Sequence, residues 1–220
     1  MLLDATKLNR FLLIFSIFCM VLLSFRMLLT ESLFYGFLVW NLFLAMVPYG
    51  ISSWLIHTHW IRKHSFPLLL FLGIWLLFLP NAPYVITDLK HLRYAKSSLS
   101  WFDPFMLFAF ALNSLLYGVI SIQHIFQIAK ETWNRRMAKL LIFFVVFLCG
   151  FGIYLGRYLR WNSWEFFTHP FQLIQDCIWS LIHPSYRIRT WGITVGFGSF
   201  LWFLFLSTQK IYTTKKASRS

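Results

Sequence analysis

Apolar residues along the chain gather into six runs, covering residues 11–29, 33–56, 66–79, 104–128, 137–158 and 191–208, separated by shorter polar stretches. Most reach or approach the ~20 residues needed to cross ~30 Å of hydrocarbon as a helix. The pattern therefore predicts an all-α polytopic membrane bundle of about six spans, forming one domain over residues 1–220. Lys7 and Arg10 precede the first run, as they would in a secretory leader. The run is longer than a leader core, however, and no small-residue cleavage pattern follows it, so it reads as an uncleaved first helix. Pro48 predicts a kink in the second span. Between the fifth and sixth runs, Phe166, Phe171, Ile174, Ile178 and Trp179 alternate with polar residues, too interrupted to cross a bilayer. Residues 161–183 are expected to lie on the membrane surface as an amphipathic segment, punctuated by His169-Pro170 and His183-Pro184.

The third run departs from this regularity. Its 14 residues span only about 21 Å as α-helix, and they end in Pro80-Asn81-Ala82-Pro83. Two prolines in four residues remove two backbone donors and disfavour helix just before each. The last carbonyls of the run would then lose their helical partners at membrane depth, which is tolerated only against protein or a water-filled cavity. A broken third helix is expected, restarting over residues 82–96 with Asn81 as its cap and Pro83 in its first turn. On a 3.6-residue period Tyr84, Thr87, Asp88 and His91 share one face of the restart.

Composition sharpens the membrane reading. Hydrophobic residues make up 59% of the chain and charged residues 12%, about half the charge of a soluble domain; mean hydropathy is +0.65. Disorder, a secreted disulfide scaffold and a coiled coil are excluded. The net charge of +13 sits between apolar runs, where it orients spans rather than binding nucleic acid. With the amino terminus inside, twelve of the twenty Lys and Arg residues fall inside and eight outside, which predicts both termini in the cytoplasm.

Candidate chemistry concentrates on the predicted outer side. Asp88 and His91 are a candidate acid–base pair, three residues apart and able to touch. The same stripe also suits a plain amphipathic helix with its polar face in water. Arg157 and Arg160, at the end of the fifth span, have the spacing of an anion clamp, or of two arginines snorkelling to headgroups beside Tyr158, Trp161 and Trp164. Asn81, Tyr84, Thr87 and Asn162 complete the candidate ligand-binding set, although Asn162 and Glu165 also have capping-box spacing. Asn41 and Asn113 are buried polar candidates within spans, suited to bonding across helices or reaching the interrupted segment. Asp103-Pro104 reads as a helix cap followed by a first-turn proline. The glycine pairs 152/156 and 192/196 have the spacing of close helix approach. His57, His59 and His64 lack the spacing and neighbours of a metal site. Cys19, Cys149 and Cys177 are too scattered for metal or redox work. No nucleotide-binding or hydrolase motif is present, so neither a metal nor a cofactor is expected.

Four segments carry a family resemblance: WLLFLPNAPYVITDLKHL at residues 75–92, NLFLA at 41–45, WFD at 101–103 and GRYLRWNSW at 156–164. Together they resemble the domain-of-unknown-function 1361 family. The resemblance implies a multi-pass protein of a bacterial plasma membrane and implies no activity. Three readings therefore stay open on the residues alone: an envelope enzyme acting on an anionic or lipid-linked headgroup, a transporter or ion-coupled permease, and a non-catalytic assembly subunit. Beyond the bilayer, a lipid or anionic headgroup is the expected ligand class, and the sequence leaves the oligomeric state open.

Overall fold

The computed structural model describes residues 5–94 and 101–217. Among these residues the structure is all helical. α1 (Ala5–Thr30) and α2 (Phe37–His57) form the first two spans, with Pro48 accommodated inside α2. A one-turn α3 (His59–Lys63) leads into α4 (Ser65–Phe78). α5 (Asn81–Tyr84) and a 3₁₀ segment (Val85–Tyr94) prolong α4; residues 95 and 96, the expected end of the restart, lie outside the described residues. Next come α6 (Phe102–Thr132) and α7 (Arg135–Tyr154), the latter capped by Asn134, which accepts from the Met137 N–H at 2.9 Å. A π turn (Leu155–Leu159), α8 (Glu165–Thr168), α9 (Pro170–Ile182) and α10 (Pro184–Ala217) complete the order.

Six helical stretches among the described residues are long and apolar enough to cross a membrane: Thr6–Thr30, Phe37–His57, Ser65–Leu92, Phe102–Thr132, Arg135–Leu159 and Arg187–Gln209. The third is one bent helix rather than two separate ones. α10 starts at Pro184, earlier than the apolar run suggests, because His183 is extended and the proline is pre-set for a first helical turn. α9 leaves Phe171, Ile174, Ile178, Trp179 and Ile182 exposed, the apolar face of an amphipathic helix.

α6 runs through the middle of the bundle and takes part in both apolar cores. One core gathers Leu55, Trp75, Leu79, Val146 and Phe205 around the second half of α6; the other gathers Leu12, Tyr35, Leu38, Val85 and Phe110 around its first half. Lipid tails are as apolar as leucine, so association between spans rests on close packing and interhelical hydrogen bonds. α6 supplies both. Asn113 Nδ2 donates to Ser16 Oγ at 3.0 Å, Ser16 Oγ lies 3.0 Å from the Tyr117 hydroxyl, and Gln123 Nε2 donates to Thr208 Oγ1 at 2.7 Å. Asn113 thus bonds α6 to α1 and does not reach the bent span. The close approach of α7 and α10 is made at Gly150 and Gly198, where an added Cβ would lie 2.5 Å from the Thr194 carbonyl and 2.7 Å from the Phe147 ring. Gly192 and Gly196, suggested by their spacing, face open space.

Candidate functional site

The bend in the third span follows from Pro80 and Pro83. Neither offers an N–H, so the carbonyls before them must find other donors. The Ala82 N–H donates to the Leu79 carbonyl at 3.1 Å, and the Tyr84 N–H to the Pro80 carbonyl at 3.1 Å. Two side chains serve the carbonyls behind them: Ser163 Oγ donates to Leu77 O at 3.0 Å, and Asn81 Nδ2 donates to Phe78 O at 2.9 Å and to Ser163 Oγ at 3.1 Å. Asn81 is therefore not the cap expected of it; α5 has no side-chain cap, and the amide stitches the end of α4 to the 161–164 loop. Leu79, Pro80 and Val85 all keep right-handed helical dihedrals (φ −55°, ψ −39°; φ −59°, ψ −24°; φ −57°, ψ −26°). Packing overrides the pre-proline preference: a Cβ added to Gly152 would lie 2.5 Å from Pro80 Cγ, and one added to Gly118 would lie 2.8 Å from Ala82 Cβ. Bare backbone on α7 and α6 thus receives the bend.

Beyond the bend the chain winds at three residues per turn rather than 3.6, which redistributes the expected polar stripe. Val85, Asp88 and His91 line up; Val85 and Asp88 are each 1% exposed, and His91 is partly exposed with its ring 4.9 Å from that of Phe37. Tyr84 and Thr87 form a second row. Arg157, on the π turn, bridges the two rows: Nη1 donates to Asp88 Oδ1 at 3.2 Å and to the Tyr84 hydroxyl at 3.5 Å, and Nη2 donates to the Thr87 carbonyl at 3.0 Å. Asn41 Nδ2 donates to Asp88 Oδ2 at 2.7 Å. Both carboxylate oxygens are thus held. His91 Nε2 stands 3.9 Å from Asp88 Oδ1, beyond hydrogen-bond reach. The Thr87 hydroxyl donates to the Tyr84 carbonyl at 2.7 Å and is spent locally.

Arg160 does not join Arg157. The π turn abandons the α-helical spacing that would align them, and Arg160 itself takes φ 63°, turning the chain back so that its side chain is exposed. The Trp161 N–H then donates to the Leu155 carbonyl at 3.2 Å. Asn162 makes only half of the capping box: its backbone N–H and its Nδ2 (3.1 Å) both donate to Glu165 Oε2, but the Glu165 N–H donates to the Asn162 backbone carbonyl, and the cap position of α8 is Trp164, without a side-chain cap.

A cavity of about 320 Å³ lies between α2, the bent span and α7, under the 161–173 segment. Of the predicted residues, Asn41, Asn81, Tyr84 and Asn162 line it, whereas Asp88, His91, Thr87, Arg157 and Arg160 do not. Its walls are Leu44, Leu76, Leu77, Leu148 and Phe151, with Trp40, Trp161 and Trp164 toward the 161–164 loop. Among the described residues, no three His, Cys, Asp or Glu side chains gather closely enough to hold a metal ion.

Two features escaped the sequence reading. Ser163, in a polar loop motif, gave no sign that it folds back onto the bend. The other is a second buried ion pair: Arg26 Nε donates to Asp103 Oδ1 at 3.3 Å, with the two side chains 3% and 2% exposed. Asp103 lies inside α6, whose cap position is Trp101, so the expected role as cap gives way to an ion pair. The available signal was two opposite charges, each at the edge of an apolar run on the same predicted side.

Among the described residues, five membrane-length helical stretches around a sixth, the largely buried α6, define a polytopic α-helical membrane protein. Within that class, the chain belongs to the family described as Protein of unknown function (DUF1361), whose model matches residues 40–204. No curated protein and no solved structure matches it.

Proposed function

We propose that the protein binds a lipid-type ligand presented from the outer leaflet of a bacterial plasma membrane, with the ligand's chain in the cavity beside the bend and its headgroup at the amides. The excess of Lys and Arg at the other end of the bundle supports an outer position for this one. The observation that carries the reading is the gradient along the cavity. Leu44, Leu76 and Leu148 lie further toward the opposite end of their helices than Asn41, Asn81 and Gly156 do, so the deep walls are hydrocarbon and the mouth is polar. Such a concave, largely apolar site with a few placed polar groups is the usual form of a small-molecule site. α9 lays its apolar face at the same level and contributes Leu173 to the lining.

On this reading Asp88 and Arg157 shape the site and perform no acid–base chemistry. The envelope-enzyme reading keeps one supporting observation: His91 is partly exposed and stands 3.9 Å from a buried carboxylate. The test is native mass spectrometry of protein extracted with its membrane lipids. Wild type is expected to retain a bound lipid that Leu44→Trp, which fills the cavity, loses while keeping its thermal unfolding midpoint. Equal retention by both proteins would overturn the reading. His91→Ala is expected to retain the lipid as wild type does.

Sidedness is tested at Cys177, in α9 and half-buried, since Cys19 and Cys149 are fully buried. Burial and the neighbouring Asp176 charge push the Cys177 thiol up. Its labelling by an impermeant maleimide in intact cells should therefore be slow at neutral pH and quicken as pH rises; no labelling at any pH would place α9 on the other side.

A further inference from the structure

We propose that the headgroup recognised at this cavity is an uncharged saccharide, so that the ligand is a neutral glycolipid in which sugar and hydrocarbon are joined without a phosphate. The inference rests on the lipid-binding reading above and adds the chemistry of the headgroup.

The hydrogen-bond network dictates what the amides can offer. Asn41 Nδ2 and Asn162 Nδ2 each donate to a carboxylate, and Asn81 Nδ2 donates to a backbone carbonyl. Carboxylate and carbonyl oxygens only accept, so the NH₂ of each amide is fixed on that side. The three Oδ1 atoms are left as acceptors, and among the described residues no donor reaches them. Asn41 and Asn162 each keep a second Nδ2 N–H as well, and the Tyr84 hydroxyl, which accepts from Arg157, keeps its O–H to donate, so the lining offers uncharged acceptors and donors together, the complement of sugar hydroxyls, which also do both.

Charge points the same way. Among the described residues, no Lys, Arg, His, Asp or Glu lines the cavity. The neighbouring cation, Arg157, gives its guanidinium to Asp88, Tyr84 and the Thr87 carbonyl. A phosphate between chain and sugar would sit where hydrocarbon walls meet amides, with no cation to pair it, at a steep desolvation cost. The aromatic lining supplies the remaining element. Trp40 and Trp164 stand 6.4 Å apart at 68°, half exposed, as an angular wall, and Tyr84 and Trp161 add further ring surface. Flat apolar rings with a polar edge suit the C–H faces of a pyranose while leaving its hydroxyls to the amides. At about 320 Å³ the cavity is near the lower end of the ~300–1,000 Å³ usual for ligand sites, a size for one ring and the start of a chain.

The test compares three probes added to the full-length protein in phosphatidylcholine nanodiscs and read by native mass spectrometry: a glucosyl-diacylglycerol, the same diacylglycerol without sugar, and phosphatidylglycerol of the same chains. The glucosyl lipid is expected to bind about tenfold more tightly than either, the worth of one or two well-made hydrogen bonds. Trp164→Ala and Asn162→Ala are expected to erase that preference, so that the glucosyl lipid binds no more tightly than the plain diacylglycerol. If all three lipids bind alike and Leu44→Trp abolishes all of them, the saccharide inference falls and the lipid-binding reading stands. Preference for phosphatidylglycerol overturns the inference in favour of an anionic headgroup. If no probe binds in a manner sensitive to Leu44→Trp, both readings fall.

Discussion

Two buried arginine–aspartate pairs close the same end of the bundle, and they are built alike up to a point. In each, the arginine lies shortly before the end of a span, Arg26 on α1 and Arg157 on the π turn after α7, and the chain then ends its helix with a non-glycine residue of positive φ, Glu31 at 47° and Arg160 at 63°. Each arginine also donates to a backbone carbonyl, Ser32 at 3.1 Å and Thr87 at 3.0 Å, and lies over a tyrosine ring, Tyr35 at 4.7 Å and Tyr84 at 5.7 Å. The surroundings differ. Arg26 and Asp103 are sealed, both nearly inaccessible, against a Tyr35 phenol that burial and the Asp103 charge push up to about 12. Asp88 is just as buried, but Arg157 keeps 14% of its side chain accessible, and its partner Tyr84 and the Asp88 partner Asn41 both line the cavity. Arg26 lies outside the stretch matched by the family model, whereas Asp88, Arg157 and the whole cavity lining lie within it. The same pair of residue types thus makes a clamp in one place and the back wall of a site in the other.

If that contrast is right, the largest loss follows breaking the sealed pair. Asp103→Ala strands Arg26 without water and should cost about 3–5 kcal/mol, read as denaturant unfolding in detergent. The double variant Arg26→Met/Asp103→Leu should recover most of it, as sealed pairs replaced by apolar side chains often do. Asp88→Ala should cost less, about 1–3 kcal/mol, because the freed guanidinium can turn to water, and it should weaken lipid retention, which Asp103→Ala at equal folded fraction should not. Equal stability losses for the two aspartates would erase the distinction. Asn41→Leu removes one donor from a carboxylate that keeps Arg157 and should cost about 1.5–3 kcal/mol at most. Ser163→Ala, which takes a single donor from the Leu77 carbonyl, should cost about 1 kcal/mol and locally raise amide exchange after the bend. Arg160→Ala should stay within about 0.5 kcal/mol of wild type; a loss as large as that of Asp88→Ala would mean that Arg160 belongs to the cluster after all.

The spans were legible because hydropathy over twenty residues is a sum that no single contact can overturn. The bend was legible for the same reason in reverse: proline lacks a donor wherever it stands. What the bend does with its orphaned carbonyls was not legible, since the donors come from Ser163, some eighty residues away, and from Asn81 acting on the helix behind it rather than the one ahead. The polar stripe was read with the wrong period. At 3.6 residues per turn Tyr84, Thr87, Asp88 and His91 form one face; at three per turn Asp88 turns inward beneath Val85, and His91 moves out against Phe37. Arg157 and Arg160 separate for a kindred reason, a wider turn followed by a left-handed residue. Local winding is set by tertiary packing, here Pro80 seated on Gly152 and Tyr84 beside Gly156, and periodicity in the sequence does not carry it.

The change of winding also settles a matter of reach. An α-helix climbs about 1.5 Å per residue and a 3₁₀ helix about 2.0 Å, so the ten residues of the over-wound segment extend about 5 Å further than they would in the ordinary pitch. The third span thus runs on past its short apolar run, through the bend and into the over-wound segment, and the steeper rise carries the polar end of that segment further from the bilayer middle than an α-helix of the same residues would. Relaxing that segment to the normal pitch would draw its outer part, His91 included, back toward the hydrocarbon, so winding and depth are two readings of one coordinate.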